Sequence, residues 1–250
     1  MDERDRVINN QLIALVSGST KGIGKAIVQQ LVLDGYTVVQ NSRSAVAPED
    51  LSGQYHLVAD VTNENECRIL IEGVIDKYGR LDLLVCNVGS GRVLSNEISN
   101  SETWSHFLSI NLISTTNLVN SALASLKETK GNVVAISSIC GQNPKITAPV
   151  GYLTAKAGLE MFMKTMAARN GIHGVRFNVV APGNVFFEGS VWDQKLQSNK
   201  LLVASYLEQH VPLGKFIEPQ DIASAVSFLA GPSGRNITGV VLNVDGGQSL

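Results

Sequence analysis

The 250-residue chain is short of cysteine, of aromatic residues and of excess charge, and each shortage removes a class of protein. Its cysteines, Cys67, Cys86 and Cys140, are odd in number and far apart, with no CxxC pair, which leaves a disulfide framework or cysteine-based metal site unsupported. Two of them fall in strand-like apolar runs, where buried thiols are common. A reduced, cytoplasmic setting is expected, and no metal. The net charge is −2, and no stretch clusters Lys and Arg as nucleic acid or an anionic membrane would require. No run is apolar for long enough to span a bilayer, and Met1-Asp2-Glu3-Arg4-Asp5-Arg6 is too charged to open a secretion signal. Neither nucleic acid nor a membrane is expected as a partner.

What is present is a rhythm. An apolar fraction of 44% supports a sizeable core. Short apolar runs at Leu12–Ser17, Thr37–Gln40, Tyr55–Ala59, Leu81–Cys86, Asn132–Ser137, Val175–Ala181 and Val240–Val244 read as strands. Amphipathic stretches near 23–34, 64–78, 101–127, 151–169 and 219–230 read as the helices between them. The strand runs are apolar throughout rather than alternating, which suits strands covered on both faces. The expectation is a single doubly wound, Rossmann-type α/β domain over 1–250, with a parallel seven-stranded sheet and helices on both faces. The longest gap, 184–218, falls after the sixth strand, where open α/β sheets bind ligands. It carries Val185, Phe186, Phe187, Val191, Trp192, Leu196, Leu201, Leu202, Tyr206, Leu207 and Val211. A mobile apolar lid over substrate is one reading; two short helices packed on the sheet is the other.

Two motifs carry chemistry. The first strand runs into Gly18-Ser19-Thr20-Lys21-Gly22-Ile23-Gly24, and a helix follows. Glycines there permit a tight turn and close approach of backbone to a ligand, and N–H groups at a helix start face a pyrophosphate. Further on, Tyr152-x-x-x-Lys156 puts two side chains on one helix face. An ammonium beside a phenol lowers the phenol's pKa from about 10 toward neutrality, which makes it a usable acid and base.

With Asp60-Val61, Asn87-x-Gly89, Asn111, Ser138-x-x-Gly141, Pro182-Gly183, Ile237-Thr238-Gly239 and Asp245-Gly246-Gly247 in the same order, the chain resembles the short-chain dehydrogenase/reductase family over nearly all its length. The resemblance implies hydride transfer between a nicotinamide cofactor and a ketone or secondary alcohol. Tyr152 then donates the proton, Ser138 holds the carbonyl, Lys156 lowers the Tyr152 pKa and binds the nicotinamide ribose, and Asn111 anchors a water that links Lys156 to solvent. Ser137 competes with Ser138, and Asn111 has a plainer reading as a buried, locally satisfied amide. The implied cofactor contacts are Gly18, Ser19, Lys21, Gly22, Ile23, Gly24, Arg43, Asp60, Val61, Asn87, Gly89, Tyr152, Lys156, Pro182, Gly183 and Val185. Asp60 touches the adenine region by resemblance, or caps the helix that starts near Glu64.

At the end of the second strand, Val39-Gln40-Asn41-Ser42-Arg43 lacks the carboxylate that binds NAD ribose hydroxyls. With Lys21 and Arg43 nearby, NADP(H) is expected over NAD(H). The chain departs from the family at Val88, and in the run Pro182-Gly183-Asn184-Val185-Phe186-Phe187, which lacks the threonine that often follows Pro-Gly. Reductases of the family that act on carrier-bound acyl groups show arginines at the cleft mouth. The matching positions here are Lys130 and His173, so a 3-oxoacyl thioester is one candidate substrate among small carbonyl compounds and alcohols. The resemblance also implies a homo-oligomer, dimer or homotetramer, paired through the helices near 101–127 and 151–169. The alternative function is a non-catalytic NADP(H)-binding sensor on the same fold.

Overall fold

In a computed structural model of the chain, the structure describes residues 11–47, 51, 54–92, 100–145 and 148–250. Seven strands form one parallel sheet in the order β3-β2-β1-β4-β5-β6-β7. They are β1 (Ile13–Val16), β2 (Thr37–Ser42), β3 (Tyr55–Val58), β4 (Leu83–Cys86), β5 (Asn132–Ile136), β6 (Arg176–Pro182) and β7 (Val241–Val244). Each overlaps an apolar run read as a strand. The register aligns Leu15 with Val39 and Leu84, and Ala135 with Cys86 and Val179. Strand order reverses between β1 and β4, because β1 pairs with β2 on one side and β4 on the other.

The helices are α1 (Gly22–Leu33), α2 (Glu64–Tyr78), α3 (Ser101–Leu108), α4 (Ser114–Thr129), α5 (Val150–Asn170), α6 (Val191–Ser198), α7 (Lys200–His210) and α8 (Pro219–Ala230). Successive strand side chains point to opposite faces, and the core divides accordingly. Ile13, Leu15, Leu84 and Phe177 pack with residues of α2, α4 and α5. Ala14, Val16, Leu83 and Val180 pack with α1 and α8. Burial on both faces explains why the strands carry no polar alternation.

The structure departs from the sequence reading in two places, the helix at 101–127 and the cysteines. The single helix expected at 101–127 is interrupted by a π segment, Ser109–Ile113, between α3 and α4. The 184–218 gap contains α6 and α7, the two short helices of one of its two readings. Of the three free cysteines only Cys86 lies in a strand; Cys67 is on α2, and Cys140 is on the 3₁₀ turn Ile139–Gly141. Among the described residues, no helix is long and apolar enough to cross a membrane. No group of three or more His, Cys, Asp or Glu converges there as metal ligands would.

Because every strand runs the same way, the segments that leave their C-terminal ends share one edge. That edge receives the glycine turn after β1, Arg43 after β2, Asp60 after β3, Asn87 after β4, Ser138 after β5 and Gly183 after β6. Lys130 and His173 precede β5 and β6 and therefore lie at the opposite edge. There Lys130, with φ 53°, ends α4 in the left-handed region.

Arg176, at the start of β6, closes the far end of α8. Its guanidinium donates to the carbonyls of Leu229 at 2.8 Å, Gly234 at 2.9 Å, Ile237 at 3.1 Å and Ala230 at 3.4 Å. Arg176→Met leaves these acceptors without their donor. The expected cost is about 2–3 kcal/mol, seen as a lower urea midpoint with an unchanged denaturant slope.

Candidate active site

The glycine turn is held open from several sides. Gly18 and Gly22 have φ 59° and 52°, values that favour glycine. A side chain at Gly24 would put its first carbon 2.3 Å from the Gly18 carbonyl oxygen, so α1 can meet the turn only through glycine. One at Gly18 would meet a Val88 methyl at 3.0 Å. The Asn87 side chain donates to the carbonyls of Ser17 at 3.2 Å and Gly18 at 2.9 Å, which ties the turn to the end of β4. Ser19 is fully buried, and its hydroxyl accepts from Asn41 N at 2.9 Å, which ties the turn to β2. Two residues beyond that tie, in either direction, stand Lys21 and Arg43, both exposed.

Lys21 precedes the first turn of α1, and no side chain caps that turn. Its leading N–H groups are available to an anion, and the helix dipole favours one. The turn thus fits the pyrophosphate of a dinucleotide. Ile23 is half-buried in this first turn. Phe187 lies across it: a side chain at Gly22 would meet the Phe187 ring at 2.9 Å.

The catalytic candidates converge beside this turn, at the ends of β4 and β5. Ser138 follows β5 and starts the 3₁₀ turn, its hydroxyl accepting from Cys140 N at 3.2 Å. The Tyr152 hydroxyl is hydrogen-bonded to Ser138. Ser137 turns the other way, and its hydroxyl donates to Glu160 Oε1 at 2.7 Å. The two serines are therefore divided between different partners, and Ser138 is the one on the tyrosine. Lys156, 3% exposed, donates from Nζ to the Ile136 carbonyl at 2.9 Å and lies 5.9 Å from the Tyr152 ring centroid.

Asn111 sits inside the π segment, an insertion often found at functional sites. Its Oδ1 accepts from Ser90 N at 2.8 Å, and its Nδ2 donates to Ser90 O at 3.0 Å and Phe107 O at 3.1 Å. The amide is thus spent mainly on the loop after β4. A side chain at Gly89 would lie 2.9 Å from both Asn111 Oδ1 and Lys156 Nζ, so only glycine fits between them.

One electrostatic expectation is corrected. Tyr152 is pushed up to about 12, first by burial, with the Ser138 hydrogen bond pulling down and Cys140 pushing up. Lys156 does not lower it, because the ammonium points at the Ile136 carbonyl and burial costs the phenolate its hydration. Tyr152 is therefore held as a protonated donor. Lys156 is itself lowered to about 8 by burial, opposed by the Glu160 carboxylate. Burial raises Glu160, opposed by hydrogen bonds from Ser137 and Gln142 and by the Lys156 charge.

The remaining expected positions are less uniform. Asp60 is not the cap of α2: Asn63 is, accepting from Asn65 N at 3.0 Å and Glu66 N at 3.2 Å. Asp60 instead accepts from Thr62 N at 3.0 Å and from the Thr62 hydroxyl at 2.8 Å, beside the buried Val61. Pro182 ends β6, and a side chain at Gly183 would meet Asp245 Cβ at 2.8 Å. Val185 bridges to Ile217 through the flanking groups of Asn184 and Phe186, which leaves its own N–H and C=O pointing away from Ile217.

In the following segment Trp192 packs on Tyr206 at 4.7 Å and on Phe216 at 5.2 Å. The Tyr206 hydroxyl accepts from Asn184 at 3.1 Å and Gln248 at 2.8 Å. Sequence reasoning overlooked Glu160, although its place four residues after Lys156 on the same helix marks it as a neighbour.

These features match known proteins. The family model described as enoyl-(acyl carrier protein) reductase matches residues 18–249. The chain belongs to the short-chain dehydrogenase/reductase family of nicotinamide-dependent oxidoreductases. It is 35% identical over 246 residues to the 3-oxoacyl-[acyl-carrier-protein] reductase FabG of Haemophilus influenzae, covering 95% of this chain and 98% of that one. It is 31% identical to glucose 1-dehydrogenase 2 of Bacillus subtilis, covering 95% and 94%. Among solved structures, the Pseudomonas aeruginosa RhlG/NADP active-site complex superposes with a TM-score of 0.86 at 26% identity, covering 96% of each chain.

Gly24→Ala forces a methyl against a backbone oxygen that cannot move aside. Over-packing of this kind costs about 1–3 kcal/mol, so dinucleotide binding should weaken by about tenfold or more in a fluorescence titration while circular dichroism stays native.

Proposed function

We propose that the protein is an NADPH-dependent reductase of ketones, and in reverse a dehydrogenase of secondary alcohols. The observation that carries the reading is the cluster of Tyr152 bonded to Ser138 with the buried Lys156 behind it, on the sheet edge that also bears the glycine turn. In this reading the glycine turn, Asn87, Gly89, Lys156, Pro182, Gly183 and the backbone of Val185 hold a nicotinamide dinucleotide, which supplies the hydride when bound.

The rest falls to the chain's own side chains. Negative charge grows on the substrate oxygen as the carbonyl is reduced, and a donor aimed at that oxygen is worth most in a water-poor site. The Ser138 hydroxyl donates to it, and Tyr152 delivers its proton. The Lys156 ammonium, held on the Ile136 carbonyl and charged below about pH 8, stands one helix turn from the phenolate left behind. Oδ1 of Asn111 keeps a lone pair for a water that would return a proton toward Lys156. The apolar segment with α6 and α7 acts as the lid.

Preference for NADPH rests on Lys21 and Arg43, each two residues past one end of the Ser19–Asn41 tie, with no carboxylate at the end of β2. The substrate class is a free carbonyl compound rather than a carrier-bound acyl group. Lys130 and His173 stand at the sheet edge away from Tyr152, so within one protomer they do not flank the cleft. The two curated relatives named above, a 3-oxoacyl reductase and a glucose dehydrogenase, differ in substrate, and a 3-oxoacyl thioester stays on the substrate panel.

NADPH oxidation, followed by absorbance across a ketone panel, tests the reading. Turnover is expected for the wild type and loss of about a thousandfold or more for Tyr152→Phe, within the range assigned to general acid catalysis, with NADPH binding retained. Removing both cations in a Lys21→Ala/Arg43→Ala variant should abolish the preference for NADPH over NADH. Turnover on no ketone or alcohol, with NADPH still bound, would leave a cofactor sensor.

The protein is further proposed to self-associate along α5 and the π segment. Val150, Met161 and Ile113 stand exposed there, at 62%, 63% and 41%, on the helices through which the family resemblance implies pairing. Light scattering should give a dimer or tetramer mass; a strictly monomeric mass overturns this.

A further inference from the structure

The role proposed for Lys156 leaves a buried acid unexplained. Glu160 follows Lys156 by one turn of α5 and is 9% exposed. Glutamate is rarely buried unless paired, and an uncompensated carboxylate there would cost several kcal/mol. Its surroundings are built for it. The Ser137 hydroxyl donates to Oε1 at 2.7 Å, and the Gln142 amide also bonds the carboxylate. A side chain at Gly141 would come 2.5 Å from Oε1, so the carboxylate occupies the room that this glycine leaves. Ser137, Gly141 and Gln142 bracket the 3₁₀ turn that begins at Ser138. The Gln142 side chain is in turn bonded to Asn243 on β7 at 2.9 Å.

We propose that Glu160 is a positioning residue with two effects: its carboxylate keeps the neighbouring Lys156 ammonium charged, and its bond to Ser137 fixes the chain that presents Ser138. This rests on the reductase reading for its catalytic meaning, but the coupling between the two side chains stands apart from it. The titratable groups nearest Lys156 are Tyr152 and Glu160 on α5 and Cys140 on the 3₁₀ turn. Other elements packed on α5 bring Glu102 and His106 on α3, His173 on the 3₁₀ turn Gly171–His173 at its far end, and Arg176 at the distant start of β6. The π segment brings Asn111, which does not titrate. Of these, Glu160 is the one that opposes the loss of the Lys156 proton.

The sign follows. A carboxylate near an ammonium raises its pKa, so removing the negative charge discharges Lys156 at lower pH. Glu160→Gln keeps an oxygen to accept from Ser137 and removes the charge. Two readouts in the full-length protein separate the possibilities. The ¹³Cε resonance of Lys156, assigned by its disappearance in Lys156→Met, reports the ammonium directly. The basic limb of the reduction pH–rate profile reports its use.

In Glu160→Gln both midpoints should fall by about one pH unit, a tenfold change in the proton equilibrium, while Glu160→Asp keeps most of the shift. An unmoved ¹³Cε midpoint in Glu160→Gln overturns the proposal. A moved midpoint without turnover by the wild type supports the coupling and removes the reductase reading instead. If Glu160→Gln does not fold, reciprocity supplies the test. In Lys156→Met the ¹³Cδ titration of Glu160 must move to higher pH, and an unchanged titration overturns the proposal.

Discussion

The bond from the Lys156 ammonium to the Ile136 carbonyl joins the longest helix of the sheet's central half to the end of β5. A charge with 3% exposure is costly to bury, and it persists only where every neighbour is arranged to receive it. Here the receiving groups are also the chemical ones. The carbonyl belongs to the residue before Ser137 and Ser138, Tyr152 stands one turn earlier on the helix, and Glu160 stands one turn later. Fixing this one cation therefore sets the rotation of α5 about its axis, and with it which side chains face the cleft.

The parallel sheet supplies the other half of the arrangement. Strands that all run one way deliver their exits to a common edge, so residues as far apart in sequence as Gly18, Asn87, Ser138 and Gly183 become neighbours without any special contact between them. The reversal of strand order at β1 and β4 opens the space there. The glycines along that edge are places where neighbouring backbone or side chains already occupy the volume of a methyl group. Gly24, Gly89, Gly141 and Gly183 each meet such a neighbour within 2.9 Å. A ligand site built this way tolerates few substitutions even where no ligand is touched.

Much of this was legible in the order of residues. Runs such as Ile13-Ala14-Leu15-Val16 are apolar on both faces, and only a doubly covered strand needs that pattern. The four-residue spacing of Tyr152 and Lys156 placed them on one face of a helix. Other features depend on tertiary context. The π segment adds no breaker residue to the helical pattern of 101–127, so no sequence mark announces it. Asn63 outcompetes Asp60 as a helix cap because capping is decided by where the backbone turns, within three residues. The sign of the Tyr152 shift depends on the direction of the Lys156 side chain and on burial, and spacing reports neither. The division of labour between Ser137 and Ser138 became clear only with the partners Glu160 and Tyr152 in place.

The Phe187 ring lies against Gly22, in the space that a side chain there would need. The ring therefore gives the first turn of α1 an apolar wall on that side. The neighbouring Phe186 stacks on Phe216 at 5.5 Å, and Phe216 meets Trp192 at 5.2 Å, so the wall beside the glycine turn is continuous with the aromatic group of the 184–218 segment.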